Sequence, residues 1–328
     1  MADASSALLE VKNLRVEFAT RRGTLVAVDE VSFEIAAGEV LGVVGESGAG
    51  KSLTGSAIIG LLEPPGRIAS GEIRLEGSRI DNLPPDALRR IRGRRIGAIF
   101  QDPLTSLNPL YTIGRQITET ILAHLPISRK AARDRAVALL TEAGIPAAER
   151  RLEHYPHQLS GGMRQRVVIA LALCAEPRLI VADEPTTALD VSTQAQIIAL
   201  LKRLSHDHGA AVMLITHDMG VIAETAQRVA VMYAGRIAEI GPVRAVLKAP
   251  RHPYTAGLMQ SIPKIGGAST RLAQIDGAMP RLNAIPSGCA FHPRCPRRFE
   301  RCDRERPELL SAQDRLAACW LYADERRA

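Results

Sequence analysis

The fold is decided at residues 45–52, which read Gly45-Glu46-Ser47-Gly48-Ala49-Gly50-Lys51-Ser52. This stretch fits the pattern G-x-x-x-x-G-K-[ST], a loop whose backbone N–H groups wrap phosphates. The apolar run at 40–44 predicts a buried parallel strand before the loop, and the residues after Ser52 predict a helix. Because N–H groups and the helix dipole converge at such a helix start, we predict a site for a nucleoside triphosphate.

Two side chains of this loop have expected roles at the phosphates. Lys51 is placed to reach the terminal phosphates, and the hydroxyl of Ser52 is placed to bind Mg²⁺. We therefore expect the nucleotide to bind together with magnesium.

Composition limits the class of protein. The chain has 328 residues, a hydrophobic content of 46% and a formal net charge of +7. Its basic residues are dispersed among acidic ones, which favours a solvated basic surface over a patch for nucleic acid. No apolar run approaches the roughly 18 residues needed to cross a bilayer. We expect a cytosolic protein, and if it works at a membrane, another subunit supplies the span.

The chain divides into segments of different pattern. Alternating stretches at 8–18 and 25–35 predict a small β layer before the loop. Prolines punctuate helical patterns between the two halves of the predicted sheet, which indicates an inserted helical subdomain. The expected organisation is a nucleotide-binding core at 8–101 and 158–245, a helical insertion at 102–157 and an extension at 246–328, where the pattern becomes arginine-rich and loop-like.

Four polar residues stand where predicted strands end: Gln101, Asp183, Glu184 and His217. In open α/β sheets the ligand site lies along the carboxyl edge of the strands, so we expect these side chains to converge on the phosphates. An acidic pair after an apolar strand fits Asp183 in the shell of Mg²⁺ and Glu184 as the general base that polarises the attacking water.

A second helix start is flanked by glycines. The stretch at 159–165 reads Leu-Ser-Gly-Gly-Met-Arg-Gln, with Ser160 as a candidate N-cap. Gly161 and Gly162 would let a ligand come close to the helix end. This is a second anion site with no ligand expected inside its own subunit.

The order of these motifs along residues 8–245 resembles that of the ATP-binding-cassette family. The motifs are the glycine loop, Gln101, the stretch at 159–165, the stretch at 179–184, Ala188-Leu189-Asp190 and His217. The resemblance implies an α/β P-loop NTPase (RecA-like) cassette with an N-terminal antiparallel β layer, an inserted helical subdomain and a small cysteine-containing C-terminal extension. It also implies ATP as the nucleotide, with Gln101 joining Ser52 and Asp183 around Mg²⁺.

By the same resemblance, two cassettes form a head-to-tail dimer. Ser160 and Gly162 of one subunit would contact the γ-phosphate held by the partner's loop. His217 would orient the γ-phosphate, and Asp190 would cross the interface. One position departs from the family, because Arg22 stands where an aromatic ring usually stacks on adenine and the nearest aromatic residue is Phe18.

A narrower resemblance is carried by Pro103-Leu104-Thr105-Ser106-Leu107-Asn108-Pro109, by Thr112-Ile113-Gly114 and by Arg251-His252-Pro253-Tyr254-Thr255. These stretches look like the dipeptide and oligopeptide importers, a branch with nickel and glutathione relatives. The resemblance implies a second ATPase subunit, identical or related, two membrane permease subunits and a periplasmic or extracellular substrate-binding protein. The chain would then be peripheral, at the cytoplasmic face of the membrane.

Two rival functions are weighed. A soluble ABC ATPase acting on nucleic acid would suit the basic charge, but the repair type carries a long coiled coil where this chain has the proline-punctuated stretch 53–158. The translation type carries two cassettes in one chain, and this chain has one. An export ATPase is disfavoured by the segment after Gln101 and by the His-Pro-Tyr motif. We therefore expect no nucleic-acid partner.

The cysteines predict a metal site. Cys174 lies in an apolar helical run, whereas Cys289, Cys295, Cys302 and Cys319 are spaced C-x5-C-x6-C-x16-C in a polar segment. Four thiolates suit Zn²⁺ or an iron–sulfur cluster, and free thiols are the third alternative. The resemblance to the peptide-importer branch implies a [4Fe–4S] cluster at these cysteines, so the expectation is an iron–sulfur cluster with a structural role.

Overall fold

The structure is a computed structural model that describes residues 7–187, 189–261 and 274–327. The strands, in chain order, are β1 (Leu9–Thr20), β2 (Gly23–Ile35), β3 (Val40–Val44), β4 (Gly66–Leu75), β5 (Ser78–Arg79), β6 (Ile96–Ile99), β7 (Leu179–Asp183), β8 (Ala211–Ile215), β9 (Arg228–Tyr233), β10 (Arg236–Pro242), β11 (Leu310–Ala312) and β12 (Arg315–Ala317). The helices are α1 (Lys51–Ile59), α2 (Pro85–Ile91), α3 (Pro103–Ser106), α4 (Ile113–His124), α5 (Arg129–Glu142), α6 (Ala148–Arg151), α7 (Gly161–Leu173), α8 (Val191–Asp207), α9 (Met219–Thr225), α10 (Val243–Lys248), α11 (Pro253–Gln260) and α12 (Glu300–Arg304).

The chain divides into two compact units. The first takes in the start of the chain through residue 10, then 34–40 and 74–215, and the second takes in 11–33, 41–73 and the residues from 216 onward. No helix among the described residues is both long enough and apolar enough to cross a membrane.

In the first unit, three parallel strands run in the order β8-β7-β6. β8 is buried at every residue and β7 at all but its last, which explains why both read as uninterrupted apolar runs. The helices α4 and α5 begin at Thr112 and Ser128, whose side chains accept hydrogen bonds from backbone N–H groups of the first turn. The helical patterns predicted between the prolines are confirmed by these two helices.

In the second unit, one sheet runs in the order β11-β12-β10-β9-β3 and another in the order β2-β1-β4. The strands β3 and β9 are parallel, whereas β9 and β10 form an antiparallel hairpin. β4 begins at Gly66 and pairs with β1. The predicted β layer before the loop is confirmed by β1 and β2.

The prediction that the chain becomes loop-like after Pro242 is wrong. The helices α10 and α11 follow at once, and the short strands β11 and β12 form a hairpin whose second strand pairs antiparallel with β10. Strands of three residues are too short to show a period, and β12 joins a partner far away in the sequence, so the pattern carried no signal for this pairing.

A buried ion pair holds this sheet edge to the residues that follow it. Glu239 of β10 has no exposed surface, and its carboxylate lies 3.7 Å from the guanidinium of Arg315 in β12, whose side chain is 5% exposed. The same carboxylate accepts hydrogen bonds from the backbone N–H groups of Arg251 at 3.0 Å and His252 at 2.9 Å. The charge on Glu239 is thereby compensated by residues that join β12 and the start of α11 to β10.

Replacing Glu239 by alanine should lower the free energy of unfolding by about 3 kcal/mol, because Arg315 and two backbone N–H groups would be left buried without their partner. Denaturant unfolding followed by circular dichroism measures the change. The control is Glu300→Ala, which removes an ion pair to Arg304 between side chains that are 77% and 74% exposed. That control should change the free energy by less than about 1 kcal/mol. Equal effects of the two variants would contradict the assignment.

Candidate nucleotide site

The glycine loop lies in the second unit between β3 and α1. Gly45, Gly48 and Gly50 have φ angles of 153°, 82° and 99°, which place all three in the left-handed region. A Cβ atom on Gly45 would collide with the carbonyl oxygen of Met232, and one on Gly50 would lie 3.0 Å from the carbonyl oxygen of Ala27. Glycine is therefore required here both by backbone conformation and by space.

The loop curls around its own lysine. The side chain of Lys51 is 6% exposed, and Nζ donates hydrogen bonds to the carbonyl oxygens of Gly45 at 2.9 Å and Glu46 at 3.1 Å. Lys51 also opens α1, whose N-cap residue Gly50 provides no side-chain oxygen to cap the helix. The ammonium group and the helix N-terminus thus lie on one short loop, an arrangement that suits a polyanionic ligand.

In the first unit, the acidic pair stands where β7 ends. Asp183 is the last residue of the strand, and Glu184 follows it with a φ angle of 44°. A positive φ angle is uncommon for a residue with a Cβ atom, and such strain concentrates at functional sites. The backbone N–H of Glu184 donates to the carbonyl oxygen of Ile215 at 2.9 Å, which ties this turn to the end of β8.

Two neighbours hold the carboxylate of Glu184. Its Oε2 accepts hydrogen bonds from Nε2 of Gln101 at 3.1 Å and from Oγ1 of Thr187 at 3.0 Å. Gln101 comes just after β6, so the structure brings together two of the residues that the strand ends predicted. Thr187 was not predicted as a site residue, although a threonine three residues beyond the acidic pair was the available signal.

His217 lies in the second unit, two residues after β8 ends. His217 is exposed. The backbone N–H of the preceding Thr216 donates to the carbonyl oxygen of Val43 at 3.1 Å, and the following Asp218 caps α9. The Oδ1 atom of Asp218 accepts a hydrogen bond from the backbone N–H of Gly220 at 2.7 Å. These neighbouring contacts fix the backbone on both sides of His217.

The glycine-flanked helix start is formed as the sequence predicts. Ser160 is the N-cap of α7, and its Oγ accepts a hydrogen bond from the backbone N–H of Met163 at 3.3 Å. Ser160 is exposed, whereas most of the body of α7 is buried. A Cβ atom on Gly162 would lie 3.0 Å from Cγ2 of Thr193, so the N-terminus of α7 touches the first turn of α8.

Asp190 is the N-cap of α8 and belongs to the same region. Its Oδ1 accepts hydrogen bonds from Oγ of Ser192 at 2.7 Å and from the backbone N–H of Thr193 at 2.9 Å, and its Oδ2 accepts one from Oγ1 of Thr193 at 2.7 Å. These hydrogen bonds, that from Ser192 first, hold the pKa of Asp190 well below its usual range. The preceding Ala188 lies outside the described residues.

The aromatic ring nearest to the expected adenine position is already in contact with the backbone. A Cβ atom on Gly66 would lie 2.8 Å from Cε1 of Phe18, so the ring of Phe18 packs over the start of β4. Arg22 is exposed in the turn between β1 and β2.

The iron–sulfur prediction is wrong. The four cysteines at 289, 295, 302 and 319 line one cavity, but its volume is about 10 Å³, room for no more than one water molecule. Burial raises the pKa of both Cys289 and Cys319 to about 11. Among the residues that the structure describes, no group of three or more His, Cys, Asp or Glu side chains could hold a metal ion. Cys174 is fully buried, as expected for a core residue.

Two families match this chain. The family described as ABC transporter matches residues 28–187, and the family described as oligopeptide/dipeptide transporter, C-terminal region, matches residues 238–302. The second match covers most of β10 and the chain that follows it as far as residue 302.

Curated relatives match along nearly the whole chain. The oligopeptide transport ATP-binding protein AppD of Bacillus subtilis is 46% identical over 98% of this chain and 98% of its own. The dipeptide transport ATP-binding protein DppD of the same organism is 48% identical over 96% and 94%. Among solved structures, an ATP-binding cassette described as a dimeric post-hydrolysis state bound to ADP and Pi is 32% identical, with a TM-score of 0.65 over 72% of this chain and 99% of that one.

The glycine loop and this likeness to a solved cassette define a phosphate-loop nucleoside triphosphatase with an α/β cassette fold, as predicted. Its nucleotide is ATP, and the chain is an ATPase. The chain belongs to the ABC transporter family, among the ATP-binding proteins of oligopeptide and dipeptide transport.

Proposed function

We propose that this chain hydrolyses ATP to drive the uptake of dipeptides and oligopeptides through a separate membrane permease. The observation that carries the proposal is the match of residues 238–302 to the C-terminal region of oligopeptide/dipeptide transporters, in a chain whose cassette carries the glycine loop. The relatives named above are described as oligopeptide and dipeptide transport proteins, which supports the same substrate class.

Within the site, each residue takes a role that suits its chemistry. Lys51 binds the terminal phosphates, while Ser52, Asp183 and Gln101 would hold Mg²⁺, which offsets phosphate charge when it is bound. Glu184 accepts a proton from the attacking water, and the hydrogen bonds from Gln101 and Thr187 keep its carboxylate oriented for that transfer. His217 orients the γ-phosphate. The remaining loop residues at 45–50 supply backbone N–H groups.

The second anion site serves another subunit. Ser160 is the exposed N-cap of the 13-residue helix α7, Gly162 lies in the first turn of that helix, and Asp190 caps the neighbouring helix α8. We propose that this surface binds the γ-phosphate held by a partner cassette, identical or related, in a head-to-tail dimer. The solved relative bound to ADP and Pi is itself described as dimeric.

The remaining partners follow from the transport function. Two permease subunits and a substrate-binding protein outside the membrane would complete the importer, with this chain at the cytoplasmic face. In this proposal the core is 8–101 and 158–245, the helical insertion is 102–157 and the extension is 246–328. Leu110, just after α3, is 78% exposed and lies beside Tyr111, which is 36% exposed, so the insertion offers apolar side chains to a permease.

Replacing Leu110 by aspartate should weaken binding to the permease by about 30-fold, because burying a leucine contributes about 2 kcal/mol. The measurement is the amount of permease retained by the tagged chain in detergent. ATP binding should not change. Ile127→Asp is the control, since Ile127 is 36% exposed in the same unit and follows α4. Equal retention by the Leu110 variant and the natural chain would contradict this docking surface.

The function itself is tested by purification from native membrane followed by transport. The tagged chain should co-purify with two membrane proteins, and vesicles containing that assembly should take up a labelled dipeptide only with ATP and the binding protein. Nickel and glutathione are the alternative substrates in the same assay. Retention on DNA at moderate salt without any membrane protein would contradict import and favour a nucleic-acid role.

A further inference from the structure

Two residues of the C-terminal extension contact the glycine loop at Glu46. The carboxylate of Glu46 accepts hydrogen bonds from both terminal nitrogens of Arg294, with Nη1 2.9 Å from Oε2 and Nη2 3.1 Å from Oε1. This is a bidentate pair, the strong and orientationally specific form of an arginine–carboxylate contact. The side chains of Arg294 and Glu46 are 7% and 28% exposed, so solvent screens the pair only weakly.

Arg294 is itself fixed by the backbone of the extension. Its Nε donates to the carbonyl oxygen of Asp276 at 2.8 Å, and Nη2 lies 3.3 Å from that of Ile275. The guanidinium carbon lies 5.8 Å from the ring centre of Tyr233. Because so many groups hold the guanidinium, Arg294 acts as a rigid fork and not as a mobile surface charge.

Tyr254 holds the same loop residue from its backbone. Its hydroxyl oxygen accepts a hydrogen bond from the N–H of Glu46 at 2.9 Å. The side chain is fully buried, and its ring packs against Tyr233 at 4.6 Å and Phe291 at 5.4 Å between ring centres. Burial raises the pKa of Tyr254 above its ordinary value, so the hydroxyl stays protonated while its oxygen accepts this bond.

We propose that Arg294 and Tyr254 are positioning residues for ATP binding, which hold the second residue of the phosphate loop in place from the extension. The proposal rests on the loop's role in binding ATP, as proposed above. A loop with three glycines in the left-handed region loses much backbone entropy on ordering, and contacts that order it beforehand spare the ligand that cost.

The charge of the pair has a consequence of its own. Glu46 places a carboxylate within the loop that receives the triphosphate, and Arg294 compensates that charge. Without Arg294, the carboxylate would stay beside the nucleotide and repel it. Removing the charge of Glu46 at the same time should therefore recover part of the affinity for ATP. If the Arg294 variant lost affinity only through poorer packing, removing that charge would recover none of it.

The test is a set of ATP affinities and turnover rates for the full chain. Arg294→Ala should raise the Kd and the KM for ATP by about 10-fold, because a charge-assisted bidentate pair is lost, while kcat at saturating ATP stays within about twofold. Adding Glu46→Gln to that variant should recover at least about threefold of the affinity. Arg304→Ala is the matched control, since Arg304 is 74% exposed and should leave the Kd unchanged.

Each outcome bears on the proposal. If Arg294→Ala binds ATP with the same Kd as the natural chain, the positioning role is wrong, and the proposed function is unaffected. If the natural chain binds no ATP, the proposed function fails instead. Should Arg294→Ala fail to fold, the Tyr254→Phe variant tests the proposal instead, because it keeps the ring and removes the acceptor of the Glu46 N–H. It should raise the Kd for ATP about threefold, and an unchanged Kd would overturn the proposal.

Discussion

A Lys51→Ala variant is expected to bind ATP about 100-fold more weakly than the natural chain. Nζ of Lys51 is buried within the loop and donates to two loop carbonyls, so its charge is held where the phosphates of ATP would lie. A charge-assisted hydrogen bond to phosphate in such a place contributes about 2–3 kcal/mol, which corresponds to this loss of affinity. Titration with a fluorescent ATP analogue measures the Kd, and ATP hydrolysis should fall with it.

Two controls separate a lost phosphate contact from a damaged loop. Lys248→Ala removes an exposed lysine from the end of α10 and should bind ATP normally. Thermal unfolding without nucleotide checks that the Lys51 variant is folded. Unimpaired ATP binding by a folded Lys51→Ala chain would exclude the loop as the nucleotide site.

The second large effect is expected from Glu184→Gln, which should keep ATP affinity within about threefold and lower hydrolysis by about 100-fold or more. Glutamine matches the size of glutamate and can still accept the hydrogen bonds from Gln101 and Thr187 through its amide oxygen. It cannot take a proton from water. Phosphate release measures the turnover, and light scattering with ATP and Mg²⁺ should detect a long-lived dimer.

A matched substitution tests whether the effect is local. Glu149→Gln changes an exposed glutamate in α6 of the same unit and should hydrolyse ATP at the natural rate. Thr187→Val should fall between the two, because the carboxylate of Glu184 would keep its hydrogen bond from Gln101. If Glu184→Gln turned over ATP at the natural rate, another group would have to serve as general base.

Local sequence signals predicted the parts of the site that lie on single elements. The strand, glycine loop and helix around Lys51 are consecutive in the chain, so one motif specifies all three. Strand ends also predicted correctly that Gln101 and Glu184 would meet, because β6 and β7 are parallel neighbours and their carboxyl ends share an edge. The contact was predictable because the topology of the sheet fixes it.

Other contacts of these residues were not predictable from one sequence. The hydrogen bond from Thr187 to Glu184 accompanies a left-handed backbone conformation at Glu184. A glutamate in the sequence does not predict that conformation. The contact of Arg294 with Glu46 joins residues far apart in the chain, and no spacing rule links them. The cysteine spacing suggested a metal because it contains four thiols, but spacing says nothing about the volume between them, and that volume is very small.

The buried carboxylate of Glu239 has a consequence for how the chain matures on the ribosome. The strand β10 is synthesised well before β12, and until Arg315 arrives the sheet edge bears a charge that cannot be buried. That edge is therefore expected to stay hydrated and unfinished while the rest of the second unit is emerging. A chaperone that shields open strand edges would have its longest opportunity here, in the interval between the two strands.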